Sequence, residues 1–268
     1  FPFLGHGILI ASFNFSTIAF FLQINNSNTF IPLEHFLVAV LSAISFFFIM
    51  RVADEFKDAK DDALYRSELP VPRGLISLKE LFYIALAFIL VQILAHLFIV
   101  PTLLKYLIIP YAYLFLMTKE FFVKEWLRKN QFFYVISHML IMPIFDFYIS
   151  SFAWEFSSFK VNNILAYFLV LSFVNGLILE IGRKIKRKQE EKPGVVSYSS
   201  LLGYKGALLL WMFLIILSSF LGIYLAQFCY NSELVFMAFI FGSIFSAIVF
   251  FIYLFFSEKL NPKLLELF

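Results

Sequence analysis

The sequence predicts an all-helical, polytopic membrane bundle. Three observations carry that prediction. The 268 residues are 62% apolar and only 15% charged, where soluble chains carry about 45–50% and about 25%. The apolar residues form long uncharged runs, such as Leu234–Ser257 and Gly206–Ser232, and roughly 20 such residues let a helix cross the hydrocarbon core. The basic residues gather in the connections between runs. This composition excludes a DNA-binding domain, a secreted disulfide scaffold and a soluble enzyme fold. The single cysteine, Cys229, has no partner for an intramolecular disulfide.

Eight spans follow along the chain. The first covers 4–24, and no basic segment precedes it as in a cleavable signal peptide. The second covers 35–51 and the third 79–99. The fourth, 102–118, is interrupted by Lys105 and flanked or kinked by Pro101 and Pro110. The fifth runs over 131–152, the sixth over 162–182, the seventh over 202–226 and the eighth over 233–257. The tail, 258–268, is short and amphipathic and is expected at the membrane surface. The whole chain, 1–268, is read as one membrane domain with loops at 51–78, 119–130 and 183–201.

Nineteen of the 21 basic residues lie in the second-to-third, fourth-to-fifth and sixth-to-seventh connections and the tail; only Lys105 and Lys160 lie elsewhere. The positive-inside rule then puts both termini and all the long loops in the cytoplasm. The two longest loops stand four spans apart, which suggests two related halves. Loop 51–78 reads as helical until Leu69-Pro70-Val71-Pro72-Arg73-Gly74 ends it. Ser77-Leu78-Lys79-Glu80 reads as a capping box opening the third span.

The strongest chemical signal is the stripe Asp54, Asp58 and Asp62, one carboxylate every four residues, with Glu55 on the same side. Like charges at this spacing repel by a few tenths of a kcal/mol per pair, and a bound divalent cation would offset that. Mg²⁺ suits the chemistry, since it takes one or two carboxylates together with substrate phosphates and waters. The competing reading is a solvated helix in which Lys57 pairs Asp61 and Arg66 pairs Asp62. The position of these acids at a membrane surface whose other loops are basic favours the metal.

Asp54-Glu55-x-x-Asp58-x-x-x-Asp62 resembles the first aspartate-rich motif of the UbiA superfamily of intramembrane prenyltransferases. The continuation from Arg66 through Pro-Val-Pro-Arg-Gly74 resembles the Arg-Pro-rich stretch that follows that motif. The family places this loop between spans two and three and a second acidic loop between spans six and seven, where the two long loops fall here. It usually has nine spans; eight are visible in this sequence. The resemblance implies a UbiA-like bundle, Mg²⁺ as cofactor and a prenyl diphosphate as substrate. The expected location is a bacterial inner membrane, with the active-site loops cytoplasmic.

Two departures stand out. The family's Asn-Asp has become Asp54-Glu55, which keeps oxygen ligands. In the second motif, counted back from Gly194 and Ser197, only Glu190 falls on an acidic position, while Arg183 and Lys186 occupy the other two. The resemblance thus implies metal ligation by Asp54, Glu55, Asp58, Asp62 and Glu190, with Arg66 binding the diphosphate. Arg183 and Lys184, just past span six, either hold diphosphate oxygens or merely anchor the helix. Tyr113-Leu-Phe-Leu-Met-Thr-Lys119 resembles the family's Tyr-x-x-x-Lys-Arg, with Glu120 in place of arginine. Lys119 is then a diphosphate ligand or a snorkelling lysine.

Within span five, His138 and Asp146 are ionisable and therefore expected to face a cavity or a partner. About 80° separates them around a helix. His138 could orient or deprotonate an acceptor, whereas Asp146 reads as structural. The 39 phenylalanines suit an isoprenoid tail and an allylic cation. The function expected is prenyl transfer to an aromatic or lipid acceptor. A UbiA-like terpene cyclase and a membrane transporter are the alternatives, although a transporter should place its charges near the midplane.

Overall fold

The computed structural model describes residues 3–25, 30–157, 162–191, 196–229 and 232–256. Every regular element among them is helical: α1 Phe3–Ile24, α2 Leu33–Tyr65, α3 Leu78–Ile99, α4 Leu104–Thr118, α5 Lys124–Lys129, α6 Gln131–Met139, α7 Ile141–Trp154, α8 Asn163–Arg183, α9 Tyr198–Leu202, α10 Tyr204–Ala226 and α11 Ser232–Phe256. Eight stretches are long and apolar enough to cross a membrane, α6 and α7 together forming one of them. Seven of them coincide with the spans read from the sequence to within a few residues; the second, read as 35–51, continues without a break to Tyr65, because the 52–65 segment stays helical. The tail 258–268 lies outside the described residues.

Local chemistry explains the boundaries. Ser77 caps α3: its hydroxyl accepts from the Glu80 N–H, and the Glu80 carboxylate accepts from the Ser77 N–H, the capping box the sequence predicts. Pro101 opens a short 3₁₀ turn ahead of α4, and Pro110 is absorbed, buried, inside that helix. Span five is divided at Leu140. Pro143 lacks the N–H that would bond the Met139 carbonyl, and the ladder is interrupted there. Gly203 stands between α9 and α10 at φ +74, a left-handed conformation that a side chain would strain.

The chain forms two compact units, 1–160 and 161–268. The division falls after the fifth span rather than the fourth, because α7 packs against α1 and α4 and so belongs with the first five spans. The first unit is pinned by polar side chains within its apolar interior. Asn14 donates to the Ala39 carbonyl at 3.0 Å, joining α1 to α2. Gln92 donates to the Ser42 carbonyl at 3.3 Å and accepts from the Tyr111 hydroxyl, joining α3 to α2 and α4. His96, fully buried, lies 2.8 Å from the Tyr148 hydroxyl on α7. Such bonds hold helices together where lipid is as apolar as leucine. Phe46 and Phe145 stack at 4.6 Å between α2 and α7.

In the second unit α10 is central, packed against α8, α9 and α11. The Ser218 hydroxyl donates to Asn175 at 2.7 Å, and Ser243 donates to Ser219 at 2.7 Å. Gly222 lets α11 approach α10 closely: a Cβ there would fall 2.1 Å from the Phe239 ring.

Candidate functional site

The acidic stripe stands on α2 itself. A helix of 33 residues is about 50 Å long at 1.5 Å per residue, well beyond the roughly 30 Å hydrocarbon core. The part past Arg51 therefore continues beyond the length a crossing requires, as an unbroken helical extension. A four-residue step advances 40° around a helix, so the stripe slants. Asp54 and Asp58 are half-buried, whereas Asp62 is buried with Val52 and Glu55.

Each of these acids but Asp58 forms an ion pair within 4 Å. Glu55 receives Arg51 at 2.6 Å, Asp54 lies 3.6 Å from Lys57, and Asp62 lies 3.5 Å from Arg66. The pairing of Arg66 with Asp62 follows the solvated-helix reading. Lys57, however, pairs with Asp54 rather than Asp61, and Asp61 meets Arg128 at 3.6 Å. Burial holds the Asp62 carboxyl above the usual carboxylate range, with Arg66 opposing that shift. Among the described residues no three Asp, Glu, His or Cys side chains converge on a point able to hold a metal ion. The stripe is thus a line of donors rather than a cage. It fits Mg²⁺ in the mode in which one or two carboxylates act together with substrate phosphates.

Two long-range contacts bring the fourth-to-fifth connection and the first turn of α6 to the same edge as this extension. One is Arg128 on Asp61; the other is the Lys57 ammonium, which donates to the Tyr134 hydroxyl at 3.2 Å. Tyr134 in turn stacks on His138, ring centroids 4.0 Å apart. The Nδ1 of His138 sits 2.8 Å from the Tyr134 carbonyl, which assigns the proton to Nδ1 and leaves Nε2 as the basic nitrogen. His138 is buried, as its place in a span requires; Asp146 is buried too, but on α7. Lys119 is exposed at the C-cap of α4.

Beyond Lys119 the backbone does something the sequence did not announce. Glu120, Phe121 and Phe122 all have positive φ, 48°, 52° and 60°. Each left-handed residue with a side chain costs about 1–2 kcal/mol. The turn is held by Phe121, whose ring meets Tyr113 at 5.5 Å and His138 at 6.0 Å. Tyr113 donates to the Ser137 carbonyl at 2.6 Å. The turn carries Glu120 inward, to 6% exposure.

In the second unit, Arg183 and Lys184 both reach back to Glu180, which is 6% exposed, Lys184 at 2.6 Å. Their first task is to neutralise a buried carboxylate. Glu190 turns onto Arg187, accepting from its backbone N–H and its side chain at 3.0 Å. Ser197 caps α9 and donates to Glu191 at 2.9 Å. Gly194 lies outside the described residues.

Of the residues gathered here, the sequence reading passed over Tyr134, took Lys57 only as a partner of Asp61, and took Glu120 only as the replacement of an arginine. Tyr134 stands four residues before His138, one helical turn away, and that spacing was the available signal. No family model, no curated protein and no solved structure matches the chain.

Proposed function

We propose that the chain is an intramembrane prenyltransferase. It moves a prenyl group from a prenyl diphosphate to a hydrophobic acceptor, aromatic or lipid, with diphosphate as the leaving group. The observation that carries this reading is the acidic stripe Asp54, Asp58 and Asp62, presented on α2 beyond the membrane-crossing segment. Its likeness to the first UbiA motif, and the Arg66–Gly74 continuation, give the stripe its chemistry.

Asp54, Asp58 and Asp62, with Glu55 beside them, would hold Mg²⁺. Bound there, the ion supplies charge neutralisation to the departing diphosphate. Of these acids, Asp58 has the least competition from basic side chains within its own helix. Arg66 and Lys119 supply cationic hydrogen-bond donors for phosphate oxygens. As the allylic C–O bond opens, its electrons leave with diphosphate. The acceptor's electron pair then bonds to the prenyl carbon, and the acceptor gives up a proton. His138, with Nδ1 committed to the Tyr134 carbonyl, has the correct tautomer to receive that proton on Nε2.

The test uses purified full-length chain in detergent, a panel of prenyl diphosphates, and membrane lipid extract, with and without Mg²⁺. Mg²⁺-dependent diphosphate release together with an acceptor heavier by one prenyl unit is the expected result. Release with only a cyclic hydrocarbon or alcohol would replace transfer by cyclisation. A folded protein that releases no diphosphate from any donor would end the reading.

A further inference from the structure

Glu120 is a buried carboxylate without a counter-charge. It is 6% exposed, its Oε2 has no hydrogen-bond partner, and no lysine or arginine among the described residues pairs with it. The buried Glu55, Asp62 and Glu180 each meet an arginine or lysine. A buried polar group left unmade works against the fold. Here that penalty is added to backbone strain, since Glu120 opens the run of three left-handed residues. Strain of this kind persists where the surroundings over-determine it, and it clusters at ligand sites.

The surroundings do over-determine it. Phe121 is clamped between Tyr113 and His138, and His138 lies under Tyr134, which is bonded to Lys57. Every residue of this set lies in the first unit, at the edge that carries the acidic stripe. The turn itself is short and superficial, with Phe122 71% exposed. Glu120 directly precedes the clamped Phe121 in the chain. A carboxylate with an unmet acceptor oxygen thus stands one residue before the ring that meets His138.

We infer that Glu120 binds the hydroxyl of an uncharged, hydroxyl-bearing acceptor, accepting its hydrogen bond, and that it selects against acceptors carrying a carboxylate. A hydroxyl supplies the donor that Oε2 lacks. A carboxylate supplies none and adds like charge in a poorly solvated place. Naming the bound molecule as the prenyl acceptor rests on the transferase reading; the hydroxyl specificity of Glu120 does not.

The experiment is thermal unfolding of the purified full-length chain in detergent, as wild type, Glu120→Gln and Glu120→Leu, with 2-naphthol or 2-naphthoate added. Without probe, both variants should melt at or above the wild-type temperature, because a costly unpaired charge has been removed. 2-Naphthol should raise the wild-type melting temperature saturably, and this shift should vanish in Glu120→Leu. 2-Naphthoate should leave the wild type unmoved. Loss of stability in both variants would make Glu120 structural and overturn the inference, as would equal shifts with the two probes or a shift that survives Glu120→Leu. In the prenyl-transfer assay, Glu120→Leu should raise the acceptor KM at least tenfold and leave the donor KM unchanged, whereas Glu120→Gln, which keeps an acceptor oxygen, should retain part of the acceptor affinity. Naphthol binding that depends on Glu120, without transfer from any donor, would sink the transferase reading alone. Transfer with an unchanged acceptor KM would sink this inference alone.

Discussion

The Lys57 ammonium lies 3.2 Å from the Tyr134 hydroxyl, across 77 residues of chain, and fastens the extended end of α2 to α6. Lys57 also sits 3.6 Å from Asp54, so one cation serves the acidic stripe and the aromatic stack on His138. Tyr134→Phe removes one end of this bond and Lys57→Met the other. The two substitutions should be non-additive, with a coupling of about 0.5–1.5 kcal/mol in a double-mutant cycle of unfolding. Strict additivity would mean that the contact contributes nothing.

Asp58→Asn tests the stripe where it is least occupied. The substitution keeps volume and hydrogen-bonding capacity but removes the charge a divalent cation needs. Asp58 is half-buried and makes no bond that α2 depends on, so helicity and elution profile should be unchanged. Mg²⁺-dependent diphosphate release should fall by about 10²–10³-fold, the usual cost of deleting one electrostatic contact to a transition state. Full turnover in this variant would remove the stripe from the mechanism.

The spans were legible because a hydrophobic run of membrane length has few other outcomes. The capping box at Ser77 and the helical course of the 51–65 segment were legible for the same reason: each is set by neighbours in sequence. The division between the units was not, since it depends on α7 finding α1 and α4. The partners of the charged residues were also hidden. Arg66 could be paired with Asp62 from the i, i+4 spacing, but Arg128 reaches Asp61 and Lys57 reaches Tyr134 only through tertiary packing. The left-handed turn at Glu120–Phe122 has no glycine or asparagine to announce it. It is imposed by the clamp on Phe121, which no local propensity encodes.

Glu180 allows the two roles of Arg183 and Lys184 to be separated. Arg183→Gln with Lys184→Gln leaves a carboxylate at 6% exposure without its partners. Stranding one member of a fully buried pair costs about 3–5 kcal/mol. Arg183 is 65% exposed along its side chain, so a smaller loss, about 1–3 kcal/mol, is expected here. Adding Glu180→Gln should restore the melting temperature. If activity then returns with stability, the two cations serve the fold; if activity stays low in the stable triple variant, they also meet the substrate.

Gly222→Val tests the close approach of α10 and α11. Even the first added carbon would sit 2.1 Å from the Phe239 ring, well inside van der Waals contact, so the ring or the helix must move. The site faces α11 within the second unit. Overpacking of this kind costs about 1–3 kcal/mol. The melting temperature of the purified chain should fall accordingly, and Phe239→Ala in the same background should recover part of the loss by vacating the space. A Gly222→Val protein that melts with the wild type would show that the two helices are free to separate without cost. The small residue at 222 would then have no packing role.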